Sequence, residues 1–242
     1  MGRVHCLPLL FSKRKIKIEE GNSFVHPTIK VKSCNVFCSG KENKIIFNEG
    51  FFCAKRFDVV CNGNGNEIYL GKNFSCKNKF HIRIDGNNCK LYLGDNITVV
   101  DCLSVYSHAK GNNVSIEVGD DTSFFNTELY CYDNDSSIKI GNDCMFGYNT
   151  IVYNTDGHSI LQYGKLTNRA GQLTIGNHVW VAQNGEILKN SSVGNGSIIG
   201  RQAIVSGKFS ETNVVLCGIP AKIIKRDICW DRRTVNEVLA GE

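Results

Sequence analysis

The stretch LTIGNHVWVAQNGEILKNSSVGNGSIIGRQAIV, residues 173–205, decides the fold. An aliphatic residue stands at every sixth position of it, namely Ile175, Val181, Ile187, Val193, Ile199 and Val205. This period differs from the 3.6 of a helix and the 2 of an ordinary strand, and it is the hexapeptide repeat of a parallel β-helix. In that fold, short strands alternate with tight corners opened by Gly or Asn. Three strands close one triangular coil of about eighteen residues, with an aliphatic side chain pointing inward from each face.

The repeat continues upstream in a looser form. A short motif of apolar residues followed by Gly or Asn recurs there. The last apolar residue of each motif is Phe47, Leu70, Leu93, Val118, Ile140 or Ile175. The intervals are 23, 23, 25, 22 and 35 residues. The first four intervals fit one coil plus a corner loop of about four to seven residues. We therefore predict a β-helix over residues 24–217, an N-terminal cap over 1–23 and a C-terminal turn and helix over 218–242.

The longest interval, between Ile140 and Ile175, predicts a loop that leaves the solenoid. Additional residues cannot enter a stacked wall without destroying its registry, and such loops often line the binding face. The predicted loop covers about residues 153–172 and contains Asp156-Gly157-His158, a histidine within a polar and irregular segment. We therefore expect the functional residues to lie in this loop.

The end of the solenoid is predicted near Pro220, which lacks an N–H and fits a place where strand pairing stops. The apolar spacing from Asp227 to Leu239 predicts an amphipathic helix. We expect this helix to cover the last coil, because an uncovered solenoid end is an edge available for aggregation.

The composition fits a folded protein of one or two domains, since its 242 residues are 42% apolar and 21% charged. The formal net charge of +5 is modest and does not indicate nucleic acid as a partner. No apolar run is long enough to span a membrane, and the apolar segment at residues 6–11 is too short for a secretory signal. We predict a cytoplasmic protein.

The twelve cysteines are scattered, form no CxxC pair and accompany no export signal. Several, such as Cys53 and Cys76, stand where the repeat calls for a small inward residue. These cysteines are predicted to be reduced thiols of the core. A zinc site needs clustered ligands at short spacing, so none is predicted.

The motifs together carry a family resemblance. The hexapeptide run, the loop with Asp156-Gly157-His158, the phrase IGNHVWV at residues 175–181 and the closing GIPAK at 218–222 resemble the hexapeptide-repeat acyltransferases. Within that family, the chain is most similar to sugar O-acetyltransferases, including those acting on capsule and lipopolysaccharide. The resemblance is strong over about residues 138–225 and weak before them. It implies an all-β, left-handed parallel β-helix and a homotrimer that binds acetyl-CoA in the groove between neighbouring subunits. It also leaves open a peripheral association with envelope-glycan machinery.

The chemistry of acetyl transfer to a hydroxyl requires a base, because an alcohol is a poor nucleophile while it keeps its proton. We predict His158 as this general base in a direct transfer from the thioester, without a covalent acetyl-enzyme. A backbone N–H of a glycine-bearing corner is expected to stabilise the oxyanion. Asp156 is a candidate for orienting the imidazole, and a partner from another coil is an equal alternative.

Binding roles follow from the resemblance and from position in the repeat. Trp180 is predicted to point outward and to border the acceptor or acetyl-CoA pocket, because a large exposed aromatic is costly unless it meets a ligand or a subunit. His178 is predicted to lie on the surface or at a trimer contact. The predicted substrate-binding residues are Trp180, Tyr153 and Asn154. The predicted acetyl-CoA-binding residues are Trp180, Ala182, Gly200, Arg201, Lys222 and Lys225. Among the basic residues, the resemblance assigns Lys222, Lys225 and Arg226 to the coenzyme A phosphates, and Lys208 and Arg201 are weaker candidates for that role.

Three other functions remain open from the sequence. N-acetylation of an amino sugar, free or nucleotide-linked, uses the same scaffold. A metal hydratase of this fold needs three converging histidines, whereas His158 and His178 are twenty residues apart. A purely structural solenoid is expected to keep a regular array, and here the most regular region is interrupted by a polar loop.

Overall fold

The computed structural model describes residues 13–27, 30–31, 33–107 and 111–241, and these form a parallel β-solenoid. The strands, in chain order, are β1 Lys13–Ile18, β2 Ser23–Val25, β3 Lys30–Val31, β4 Ser33–Ser39, β5 Lys44–Phe47, β6 Phe52–Cys53, β7 Asp58–Asn62, β8 Glu67–Leu70, β9 Ser75–Cys76, β10 Phe80–Asp85, β11 Lys90–Leu93, β12 Thr98–Ser107, β13 Ser115–Val118, β14 Ser123–Tyr130, β15 Ser137–Ile140, β16 Met145–Phe146, β17 Thr150–Tyr153, β18 Leu161–Gln162, β19 Lys165–Leu166, β20 Gln172–Ile175, β21 Trp180–Val181, β22 Glu186–Leu188, β23 Ser192–Val193, β24 Ile198–Ile199, β25 Ile204–Val205, β26 Lys208–Phe209, β27 Val215–Cys217 and β28 Lys222–Lys225. The one helix in the described part of the chain is α1, Val235–Leu239.

One face of the prism is a nine-stranded parallel sheet of β2, β5, β8, β11, β13, β15, β20, β23 and β26. Its register confirms the predicted repeat, because the key residues of successive coils lie opposite one another. The aligned residues are Phe47, Leu70, Leu93, Val118, Ile140, Ile175 and Val193. The other two faces form a continuous seventeen-stranded sheet, in which the long strands β12 and β14 pair with strands of both faces.

The interior is a column of stacked apolar side chains. All six predicted inward residues of the hexapeptide stretch are buried, with Ile187, Ile199 and Val205 at 0% exposure. The earlier, longer coils fill the same column with aromatic rings, and Phe51 stacks on Phe74 with ring centroids 5.4 Å apart. The looser sequence repeat in those coils therefore builds the same architecture with larger side chains.

Asp and Asn side chains at one corner connect each coil to the next. Each side-chain oxygen accepts the backbone N–H of the preceding coil at 2.7–2.9 Å, in the series Asp95, Asp120, Asn142, Asn177 and Asn195. A Cβ on the preceding Gly141 would lie 2.7 Å from the backbone nitrogen of Asn177, closer than real Cβ atoms approach. This close approach explains why the repeated phrase ends in Gly followed by Asp or Asn, since the side chains satisfy N–H groups that would otherwise be unpaired.

The ends differ in part from the sequence prediction. Residues 1–12 of the predicted N-terminal cap lie outside the described residues, and β1 pairs in parallel with β4 as part of the wall. At the other end, β28 turns back after Pro220 and pairs antiparallel with β27. The predicted helix over Asp227–Leu239 is wrong in extent, because only α1 is helical and no residue of α1 is buried. The apolar positions before α1 are used instead for docking on the solenoid wall.

Eleven of the cysteines are described, and all eleven are free thiols. Cys53 and Cys76 lie directly opposite each other in the coil interior, each about 1% exposed or less. Eight of these eleven thiols are buried, as predicted for core cysteines, whereas Cys102 and Cys217 are half-buried and Cys229 is exposed. No helix in the described residues is long and apolar enough to cross a membrane.

Candidate active site

The predicted loop is present as an excursion of residues 154–171 between β17 and β20. Inside it, β18 and β19 pair as a short antiparallel hairpin. The tip of the hairpin is exposed, with Leu161 at 63% and Tyr163 at 94% exposure. Because the strands on either side keep their register, the additional residues leave the wall without disturbing the coils.

His158 lies on the side of the excursion that faces the preceding coils. Its exposed side chain lines a cleft of about 590 Å³, whose opposite wall contains Tyr132, Asp133 and Asn134. The structure records no hydrogen bond from the imidazole of His158 to a described residue. A reacting group can therefore approach the imidazole from the cleft.

Asn168 fixes the backbone around His158. Its side-chain oxygen accepts the N–H of Ile160 at 2.8 Å, and its amide donates to the carbonyl of His158 at 2.8 Å and to Asp156 Oδ2 at 2.8 Å. Asn168 is only 9% exposed, so water competes little for these bonds. Sequence reasoning missed this residue, because an Asn near a Gly-rich turn gives no signal that separates a loop clamp from a solvated turn.

The structure places Asp156 against Asn168 and Lys189, and it records no hydrogen bond from the Asp156 carboxylate to the imidazole of His158. Its carboxylate accepts hydrogen bonds from Asn168 and from Lys189 Nζ on the following coil. Burial alone would raise the pKa of Asp156, but the bonds from Lys189 and Asn168 outweigh burial and lower it. Lys189 also donates to the carbonyl of Asn168 at 3.0 Å. Asp156 thus anchors the excursion to the wall as a charged, paired group.

Asn154, a predicted substrate-binding residue, is also corrected by the structure. Its side chain is completely buried, and its amide donates to the carbonyls of Ser137 and Gly171, each at 2.9 Å. Its oxygen accepts the N–H of Asn190 at 3.2 Å. Asn154 therefore closes the base of the excursion, where a substrate cannot reach it.

Two tyrosines meet beneath the loop that carries His158. A Cβ on Gly157 would lie 3.2 Å from the hydroxyl of Tyr132 and 3.4 Å from that of Tyr153. Burial and the hydrogen bond with Tyr153 raise the pKa of Tyr132 to about 12, so this phenol stays neutral near neutral pH. Tyr153 was predicted as a substrate contact, whereas Tyr132 was not identified from the sequence.

Trp180 lies on another face of the prism and does not line the cleft of His158. It precedes the inward Val181 on β21, as predicted, and its half-buried ring points outward. The ring of Trp230 lies 6.1 Å from it. One chain therefore does not bring the two predicted site residues together.

His178 does not lie free on the surface, because residues 228–233, which we call the strap, cover it. Trp230 stacks on its imidazole with ring centroids 4.1 Å apart, and Trp230 Nε1 donates to the His178 carbonyl at 2.8 Å. The imidazole Nδ1 lies 2.6 Å from Asp143 Oδ2. Arg232 Nε donates to the other Asp143 oxygen at 2.7 Å. The strap thus binds several successive coils to the C-terminal segment.

We expect the substitution Arg232→Met to release the strap at a higher pH. Burial tends to raise the pKa of Asp143, but the bonds from Arg232 and His178 hold it below its ordinary value of 3.8. A lowered folded pKa means that the stabilisation is present above the unfolded pKa and is lost as pH falls through the folded pKa. Without Arg232 the folded pKa rises, so the loss begins at a higher pH.

Tryptophan fluorescence during an acid titration measures this shift, because both tryptophans of the chain, Trp180 and Trp230, lie at the strap. Arg233→Met is the matched control, since the Arg233 guanidinium bonds to Asp231 within the strap itself. An unchanged acid midpoint in Arg232→Met would show that Asp143 does not hold the strap.

The remaining predicted acetyl-CoA contacts lie on the last coils. Arg201, Lys222 and Lys225 are exposed. Gly200 has a packing role, because a Cβ there would lie 2.2 Å from Cys217 Sγ. The N–H of Ala182 donates to the carbonyl of Ile199 at 2.8 Å as part of the wall.

A second cleft, of about 440 Å³, lies on the opposite side of the excursion from His158. It is lined by Tyr153, Lys189, Lys208 and neighbouring residues. Lys208 was a weaker candidate from the sequence, and Lys189 was missed. Lys189 is paired with Asp156 at this cleft, whereas Lys208 is exposed there and has no recorded ion pair with a described residue.

Comparison with known proteins agrees with this architecture, although no family model matches the chain. A polysialic acid O-acetyltransferase of Neisseria meningitidis is 32% identical over 153 residues, which cover 54% of this chain and 71% of that protein. A polysialic acid O-acetyltransferase of Escherichia coli O1:K1 / APEC is 32% identical over 108 residues, covering 44% of this chain and 35% of that protein.

Two solved structures are similar over most of the chain. The polysialic acid O-acetyltransferase OatWY superposes with a TM-score of 0.64 at 26% identity, covering 88% of this chain and 95% of that one. The polySia-specific acetyltransferase NeuO superposes with a TM-score of 0.54 at 28% identity, covering 87% of each chain. From its sequence relatives and its solenoid, the chain belongs to the hexapeptide-repeat acetyltransferases, which have the left-handed parallel β-helix fold.

Proposed function

We propose that the protein transfers an acetyl group from acetyl-CoA to a hydroxyl of a capsular polysaccharide, with His158 as the general base. The observation that carries this proposal is an imidazole on a clamped loop, facing a cleft beside the wall of an acetyltransferase fold. The polysialic acid O-acetyltransferases among the relatives support a polysaccharide acceptor. Polysialic acid is therefore the first acceptor to test.

The proposed transfer is direct. A nitrogen of His158 takes the proton of the acceptor hydroxyl as its oxygen adds to the thioester carbonyl carbon. The resulting oxyanion is stabilised by a backbone N–H of the site. When the tetrahedral intermediate collapses, the C–S bond breaks and the imidazolium returns its proton to the leaving thiolate. The products are an acetyl ester and free coenzyme A.

We further propose that the active unit is a homotrimer. His158 and Trp180 lie in separate places on one chain, so a neighbouring copy is needed to bring them to a common site. The exposed apolar hairpin tip of the excursion, including Leu161 and Tyr163, supports a contact with that copy. The exposed Lys208 in the second cleft suits the phosphates of acetyl-CoA.

The test is to incubate the purified protein with acetyl-CoA and polysialic acid and to measure thiol release and acetylated product. We expect acceptor-dependent thiol release, and an acetyl group that mild alkali removes, because esters hydrolyse where amides persist. An alkali-stable product would show N-acetylation instead. Thiol release that no polysaccharide stimulates would contradict the proposed acceptor class.

A further inference from the structure

A row of tyrosines crosses three coils and ends where the excursion begins. Tyr106 on β12, Tyr130 on β14 and Tyr153 on β17 are directly opposite one another in the parallel register. The rings of Tyr106 and Tyr130 stack with centroids 4.6 Å apart, and Tyr130 and Tyr153 meet edge to face at 5.0 Å. All three side chains point out of the coil and are half-buried. The row is thus a continuous outward stripe on the solenoid wall.

The stripe leads into the candidate active site. Its last member, Tyr153, is the residue before the excursion, and its hydroxyl approaches Gly157, next to His158. Tyr132 stands two residues after Tyr130 and lines the cleft of His158. A molecule lying along the stripe would therefore reach the cleft without crossing another part of the wall.

The chemistry of the stripe suits a sugar chain. Because Tyr106 and Tyr130 cover each other's ring faces, they present ring edges and phenolic oxygens to the outside. The hydroxyl of Tyr130 donates to Glu128 Oε2 at 2.6 Å, which leaves its oxygen as an acceptor. A tyrosine combines an apolar body with a polar tip, as pyranose rings combine C–H and hydroxyl groups. Coils repeat at about 4.8 Å, so the polar tips form a regular series suited to a regular polymer.

Arg83 continues the same line on the neighbouring coil, directly opposite Tyr106. Its Nε donates to Asp85 at 2.7 Å, and the guanidinium has five N–H donors in all. Asp85 offsets the charge of Arg83, but the other guanidinium N–H groups, for which no bond to a described residue is recorded, can donate to a carboxylate or hydroxyl at the start of the stripe. An acidic polysaccharide carries carboxylates and hydroxyls at every repeat.

We propose that the stripe of Tyr106, Tyr130 and Tyr153 binds the acceptor polysaccharide as an extended chain and guides it to the cleft of His158. This inference rests on the proposed O-acetyltransferase function and deepens it, because it makes a polymer the preferred acceptor. It also gives the long-cornered N-terminal coils a role, since they carry the start of the stripe away from the reacting group.

The test compares acceptors of two lengths in the full-length protein. Polysialic acid and a short sialic acid oligomer are assayed with wild type and with the double variant Tyr106→Ala/Tyr130→Ala. We expect KM for the polymer to rise about tenfold, since two polar contacts of ordinary strength are lost, while KM for the oligomer and kcat stay unchanged. The double variant Tyr106→Phe/Tyr130→Phe keeps the ring stack but loses the same two hydroxyls, so its KM for the polymer is expected to rise by a similar factor.

Tyr69→Ala/Tyr92→Ala is the matched control. These tyrosines stack equally closely, at 4.9 Å, but on the nine-stranded face. The control should leave both KM values unchanged.

The possible outcomes separate the stripe from the proposed reaction. Polymer binding by the stripe is ruled out if wild type has equal KM values for the polymer and the sialic acid oligomer. It is also ruled out if the ratio of these two KM values is unchanged in Tyr106→Ala/Tyr130→Ala. In both cases the proposed acetyl transfer is unaffected. Dissociation of the protein assembly in that variant, measured by light scattering, also rules out the stripe, because this face would then be a contact between protein copies. If wild type acetylates neither acceptor, the proposed function fails and the stripe fails with it.

Discussion

His158→Ala is expected to fold and assemble like wild type and to lose acetyl transfer by about 10²- to 10⁴-fold, the usual contribution of a general base. The side chain is exposed in the cleft and has no recorded hydrogen bond to a described residue, so its removal leaves no buried partner unsatisfied. The backbone carbonyl that Asn168 clamps is retained in the variant. Activity should therefore fall while the structure of the excursion persists.

The measurement is initial-rate thiol release at saturating acetyl-CoA, together with the melting temperature and the mass of the assembly. Lys165→Ala on β19 is the matched control, because Lys165 is an exposed residue of the same excursion. It should retain wild-type turnover. If His158→Ala keeps its turnover, a different group takes the proton and the proposed mechanism is wrong.

The sequence predicted the solenoid well because each coil repeats one physical requirement. An inward aliphatic residue recurs at a fixed place, and the register of the nine-stranded sheet aligns those positions from Phe47 to Val193. The excursion was predictable for the same reason, since the interval between Ile140 and Ile175 exceeds what one coil holds. The spacing of the inward residues therefore predicts the stacked coils and the point at which the excursion leaves them.

The roles of individual polar residues were harder to predict. Asn154 and Asp156 stand in the predicted loop beside His158, yet one is buried in the loop base and the other is paired with Lys189. Several of their partners come from other coils, namely Ser137, Lys189 and Asn190, which lie 17, 33 and 36 residues away in the sequence. Sequence spacing within a loop cannot show which carbonyls of the wall it will meet.

The strap shows a second limit of prediction from sequence, which concerns the extent of the C-terminal helix. Ile228, Val235 and Leu239 fit a helical spacing, but the intervening segment contains Trp230, whose ring is almost completely buried against His178. Docking on the wall supplies more stabilisation than a short isolated helix, which is marginal in water. Tertiary packing thus overrides the local pattern.

Asn168→Ala is expected to lower kcat about 10²-fold with little change in KM for acetyl-CoA. Asn168 connects Asp156, His158 and Ile160 through bonds of 2.8 Å, and the alanine variant loses all of them. A displacement of about 1 Å at a reacting group can cost about 10²-fold in rate, even when binding persists. We therefore expect the variant to bind its substrates and to hold its base in the wrong place.

Thr167→Ala is the matched control for this effect. Thr167 is the exposed neighbour of Asn168, and its hydroxyl donates to the Ile160 carbonyl at 3.0 Å, a group that its own backbone N–H also contacts. A positioning role also predicts that Asn168→Ala has no further effect in a His158→Ala background, because two residues that act as a unit are not additive. Independent losses in the double variant, or an equal loss in Thr167→Ala, would mean that Asn168 stabilises the excursion in general and does not place the base.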